Sequence, residues 1–86
     1  MSKMEMNNMT WKEYQKIGFS LSKIKGDSQE YQIMKEAAEN GDQSAQHDMG
    51  LWYETVEHNK TEALKWYKRA ADQGHEGAKD SYNDLN

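Results

Sequence analysis

Ala70-Ala71-Asp72-Gln73-Gly74-His75 repeats Ala37-Ala38-Glu39-Asn40-Gly41-Asp42 at an offset of 33 residues, and an alanine stands four residues after each glycine, at Ala45 and Ala78. Upstream, Ile17-Gly18 corresponds to Met49-Gly50 at an offset of 32. A unit of this length is the size of a helix-turn-helix solenoid repeat. Each recurring residue has a packing reason. Paired alanines late in a helix let a neighbouring helix come close. A glycine inside a helix costs about 1 kcal/mol relative to alanine, which close helix contact offsets. On this reading Gly18 and Gly50 are equivalent mid-helix contacts.

The helix ends are marked around these repeats. Gly26, Gly41 and Gly74 each follow a helical pattern and suit the left-handed residue that ends a helix. Thr10 to Glu13 has the spacing of a capping box. Asp27 to Glu30 and Asn59 to Glu62 show the same spacing, and Asp42 can cap the helix after Gly41. Five helices follow, over residues 10–25, 28–40, 42–56, 60–73 and 76–85. Apolar residues recur three and four apart within them: Trp11, Tyr14, Ile17, Leu21 and Ile24; Tyr31, Met34, Ala37 and Ala38; Ala45, Met49, Trp52, Tyr53 and Val56; Ala63, Leu64, Trp66, Tyr67, Ala70 and Ala71. No segment alternates as a strand does. The chain has no proline to interrupt a helix, and short links predict antiparallel hairpins.

Ala45-x-x-x-Met49-Gly50-x-x-Tyr53, followed by Thr61-Glu62-Ala63-Leu64-Lys65-Trp66-Tyr67-Lys68-Arg69-Ala70-Ala71-Asp72-Gln73-Gly74-His75, resembles the Sel1-like repeats, relatives of the tetratricopeptide repeats. The preceding unit keeps Gly18 and Ala37-Ala38-x-x-Gly41 but has Leu21 in place of the tyrosine and Ile33-Met34 in place of Trp-Tyr. Where the family carries a glycine-rich loop, this chain has Glu54-Thr55-Val56-Glu57-His58-Asn59, so a longer helix and a tighter turn are expected. The resemblance implies an all-α, short right-handed α-solenoid of two helix-turn-helix units, 10–41 and 42–74, with a capping helix at 76–85; by composition, a disordered tail over 1–9 is expected. It also implies protein–protein binding on the concave side lined by the first helix of each unit, with no catalysis of its own.

Composition is consistent with such packing. Leucine, isoleucine, valine and phenylalanine together number nine in 86 residues, a share that often accompanies disorder when net charge is high. Here seven alanines, three tryptophans and five tyrosines supply apolar surface of another kind. With no cysteine, a disulfide framework and a thiolate zinc site are excluded. No apolar run reaches the roughly 20 residues of a membrane span, and the start reads unlike a secretory signal; a cytoplasmic protein is expected. The net charge of −4 conceals an asymmetry: residues 1–25 carry +3, residues 26–58 carry −7, residues 59–79 carry +2 and residues 80–86 carry −2. The central block comprises Asp27, Glu30, Glu36, Glu39, Asp42, Asp48, Glu54 and Glu57. It reads as a solvated face with lysines nearby or as a docking surface for a basic partner, which its field would steer. Direct nucleic-acid binding is not expected of an acidic chain.

The candidate partner-binding residues are Phe19, Glu36, Glu39, Asp42, His47, Asp48, Leu51, Glu54 and Glu57. Phe19 and Leu51, each one residue after a repeat glycine, either pack inside or anchor a partner in a groove. His47, His58 and His75 lack metal-ligand spacing. His47 beside Asp48, and His58 beside Glu54 and Glu57, read as surface chemistry, since no nucleophile or phosphate-binding motif accompanies them. Trp11, Trp52 and Trp66 read as core. Lys65, Lys68 and Arg69 suit a helix C-terminus or a weak phosphate site. No metal, cofactor or enzymatic activity is expected. The expected function is that of a small adaptor or inhibitor binding a basic protein surface, such as a phage- or plasmid-type inhibitor of a host nucleic-acid-binding defence complex, as a monomer or weak homodimer. The rival reading is a self-assembling solenoid unit that stacks through Trp11 at one end and Tyr82 and Leu85 at the other.

Overall fold

In the computed structural model, which describes residues 10–18 and 20–86, five α-helices and one 3-10 turn follow in chain order. They are α1 (Trp11–Lys16), the 3-10 turn (Leu21–Lys23), α2 (Gln29–Glu39), α3 (Gln43–Thr55), α4 (Lys60–Asp72) and α5 (Glu76–Leu85). No strand occurs among the described residues. Each helix packs on the next, and the 3-10 turn packs on α3, so the all-α fold is a short solenoid with α3 at its centre. The tail over 1–9 lies outside the described residues.

All five helices begin close to where the sequence places them, because side chains take up the free amides of the first turn. Thr10 and Glu13 form the reciprocal capping box. Asp42 accepts from the Ala45 amide and Asn59 from the Glu62 amide, each at 3.1 Å. At α2 the cap is Ser28 in place of Asp27: its hydroxyl accepts from the Tyr31 amide and donates to the Lys25 carbonyl at 2.7 Å.

The first unit departs from its expected shape. The helix expected over 10–25 stops at Lys16, and Gly18 sits at φ +77°, the left-handed residue that closes it. Gly18 is therefore a terminator and no counterpart of Gly50; a Cβ there would meet nothing within 4 Å. The periodicity misleads because Ile17 and Ile24 share a helical face only if the helix continues. In the fold Ile17 is 67% exposed, while Ile24 reaches the core from beyond the break and accepts from Trp52 Nε1 at 3.0 Å. Gly26 does not adopt the left-handed conformation; it lies against the Trp52 ring, and the left-handed glycines besides Gly18 are Gly41 and Gly74. In the link after α3, which spans residues 56–59, His58 takes φ +54°, a conformation a glycine adopts without strain. The Asn59 amide ties this link back to the Tyr53 carbonyl at 2.8 Å.

Alanines and aromatics make the core. Ala38, Ala45, Ala63, Ala70 and Ala78 are wholly buried, as are Met34, Met49 and Tyr67. Trp11, Trp52 and Trp66 are all core residues. That burial removes Trp11 from any stacking end: it is 3% exposed and its indole nitrogen is bonded inside the fold. Gln46, buried at 3% exposure, donates to the Ala38 carbonyl at 2.9 Å and accepts from Gln73 at 2.8 Å, while Gln73 also donates to the Gly41 carbonyl. One amide pair thus joins the α2–α3 turn to the end of α4.

The closest approach is between α3 and α4. A Cβ on Gly50 would come within 2.5 Å of the Tyr67 ring. That ring is fully buried, and its hydroxyl donates to Glu54 at 2.6 Å, so it cannot swing aside. We therefore expect Gly50→Ala to destabilise the fold by about 1–3 kcal/mol through overpacking, although alanine is the better helix former by about 1 kcal/mol. Urea unfolding followed by tryptophan fluorescence measures this; a variant as stable as the parent would show that the two helices can separate freely.

Candidate protein-binding face

Residues 44, 47, 48, 51 and 54 lie three and four apart on α3, and all five are half-buried. This face is held from both sides. From α1, Trp11 Nε1 donates to Asp48 Oδ2 at 2.7 Å and Gln15 Nε2 donates to the same oxygen. From α5, Ser81 lies 3.3 Å from His47 Nε2. The His47 ring packs 5.7 Å from Tyr67 and 4.7 Å from His75, centre to centre. Tyr67 reaches Glu54 from α4.

Burial is the largest influence on the Asp48 carboxyl and pushes it above the usual carboxylate range; the bonds from Trp11 and Gln15 act in the opposite sense. Burial also raises the Tyr67 hydroxyl well above its ordinary value, and its bond to Glu54 adds to that. Burial and then the neighbouring His75 hold the His47 imidazole below its ordinary value, with Asp48 acting against them.

The nine candidate residues therefore divide. Asp48 and Glu54 are hydrogen-bond acceptors within the fold, and Asp42 is the cap of α3. His47 bonds to Ser81 across the α3–α5 junction and makes no ion pair with Asp48. Leu51 is half-buried between these groups along α3. Glu36 and Glu39 are exposed on α2, and Glu57 is exposed just beyond α3. Phe19 lies outside the described residues. Sequence reasoning did not single out Gln15 or Ser81 as partners of this face, since they act across 33 and 34 residues. His75 did carry a readable signal, because it occupies the position after the turn glycine that Asp42 occupies one unit earlier.

The ion pairs lie elsewhere. Among the described residues they are Glu62–Lys65, Lys68–Asp72 and Glu76–Lys79, all within α4 or α5. None uses an acid from the 27–57 block. The basic group on α4 is in turn occupied, with Lys65 and Lys68 paired to acids and the Arg69 guanidinium 4.5 Å from the centre of the Trp66 ring. No group of three or more metal-ligating side chains gathers among the described residues.

The α3–turn–α4 hairpin, with its mid-helix glycine under a buried tyrosine and its glycine-closed end, coincides with a match to the Sel1 repeat family model over residues 43–75. This segment is similar to a Sel1 repeat. No curated protein and no solved structure matches the chain. A Sel1 repeat is a protein–protein interaction module and generally a non-enzymatic scaffold. No described helix is long and apolar enough to cross a membrane.

Asp48 decides how α1 joins the repeat. We expect Asp48→Ala to lose about 1–3 kcal/mol, because it leaves the buried Trp11 N–H without an acceptor. Asp48→Asn keeps a carbonyl oxygen for both donors and removes a charge that burial disfavours, so its stability should equal or exceed the parent's. Thermal unfolding at neutral pH separates the two, and equal losses would show that the charge itself holds α1.

Proposed function

We propose that the protein is a small adaptor or inhibitor that binds a basic protein surface through the acidic face of α2 and the end of α3. The carrying observation is that a Sel1 repeat sits beside a block of −7 in which no acid forms an ion pair with a described residue. Glu36, Glu39 and Glu57 are exposed and make no side-chain hydrogen bond or ion pair among the described residues. Unpaired charge of one sign raises the encounter rate with an oppositely charged surface. Leu51 supplies apolar contact on the adjoining helix face. A basic partner would include nucleic-acid-binding proteins, among them a host defence complex targeted by a phage- or plasmid-borne inhibitor. Monomeric action in the cytoplasm fits this reading.

The test reverses Glu36, Glu39 and Glu57 together to lysine and leaves Asp42, Asp48 and Glu54 in place, since those three support the fold. Capture of the partner from host lysate should be salt-sensitive for the parent and lost in the triple variant, with helicity by circular dichroism unchanged. Equal capture by a folded triple variant at low salt would sink the acidic-face reading.

A further inference from the structure

Positions 42 and 75 are equivalent in the repeat. Each follows a left-handed glycine, and each caps the next helix with its own side chain. Asp42 caps α3 through Oδ1, accepting from the Ala45 amide at 3.1 Å. His75 caps α5 through Nδ1, accepting from the Ala78 amide at 3.0 Å. The chemistry of the two caps differs. A carboxylate accepts throughout the neutral range. An imidazole nitrogen accepts only while unprotonated and becomes a donor in the imidazolium. An imidazolium at a helix N-terminus also opposes the positive end of the helix dipole.

His47 couples this cap to the rest of the repeat. Its ring lies 4.7 Å from that of His75, and its Nε2 lies 3.3 Å from Ser81 one turn into α5. Both rings cover the start of α5: a Cβ on Gly77 would come 3.1 Å from His75 and 3.4 Å from His47. The groups around the pair come from α3, α4 and α5. Burial and then the neighbouring His75 disfavour a charged His47, while the Asp48 carboxylate on α3, which also accepts from Trp11 and Gln15, acts against them. From α4, the Tyr67 hydroxyl is bonded to Glu54. From α5, Glu76 is exposed and paired with Lys79. No ion pair among the described residues involves either histidine.

We propose that the His47–His75 pair is a pH-sensitive latch: the unprotonated rings cap α5 and bridge it to α3, and their protonation releases α5 while the α3–α4 hairpin stays packed. The sign follows from linkage. His47, held below its ordinary value in the fold by burial and then by the neighbouring His75, binds more protons unfolded, so the stability it contributes is present above the ordinary histidine value of 6.5 and is lost as pH falls through the folded value. The latch needs no partner and stands apart from what the acidic face binds.

The test is amide hydrogen exchange on the full chain, read by NMR as protection factors corrected for intrinsic rates, from about pH 7.5 to about pH 5.5, a span bracketing the unperturbed histidine value. Protection at Ala78, Tyr82 and Leu85 should fall by about tenfold, the size of effect that loss of a helix N-cap produces. Protection in α3 and α4 should hold. His75→Asp restores the cap chemistry of position 42 and should abolish the fall in α5; His75→Asn, another strong capping residue, serves if the aspartate variant does not fold. A constant α5 in the parent, an equal fall in either folded variant, or a uniform fall across α3, α4 and α5 would each overturn the latch.

Discussion

The contact between Gly50 and the face of Tyr67 is the constraint on which the rest of the structure depends. It sets how near α3 and α4 lie. At that spacing Tyr67 is wholly enclosed and its hydroxyl has Glu54 as acceptor. The paired alanines and the wholly buried Met34 and Met49 fill what remains between neighbouring helices. A core with few large aliphatic side chains can be dense only if backbones come close, because short side chains leave voids at ordinary interhelical distances.

Around that contact the fold is tied by hydrogen bonds that reach from one unit to the next. Gln46 and Gln73 join the two turns, Asp48 receives α1, Trp52 reaches back to Ile24, and His47 reaches forward to Ser81. Each serves a buried or half-buried polar group that would otherwise lose its partner on leaving water. α3 is the hub of four of these ties, so its outward face is constrained along much of its length. Glu36, Glu39 and Glu57 are exposed and lie outside these ties.

The second unit was legible because its signals are local. The caps Asp42 and Asn59, the closing glycines Gly41 and Gly74, and the apolar spacing in α3 and α4 each act within a few residues. The first unit was less so. Gly18 looks like Gly50 in alignment, yet no ring such as that of Tyr67 packs over it, and without that contact the chain turns left-handed there. Likewise Asp27 and Ser28 both satisfy capping preferences, and the backbone selects Ser28, whose hydroxyl also serves the Lys25 carbonyl. Of the candidate site, the exposed glutamates of α2 could be read as surface, whereas Asp48 and Glu54 could not be told from them by charge alone.

The sequence by itself determined the helical class, the 33-residue unit, most helix starts and the burial of all three tryptophans, since periodicity and capping are properties of neighbouring residues. Only the tertiary structure decided where the first helix stops, which acids of the central block are spent inside the fold, and that His47 meets His75. Those outcomes depend on partners 13–37 residues away in the chain, where the hydrogen-bond geometry and the space beside a glycine exist only once the helices have packed.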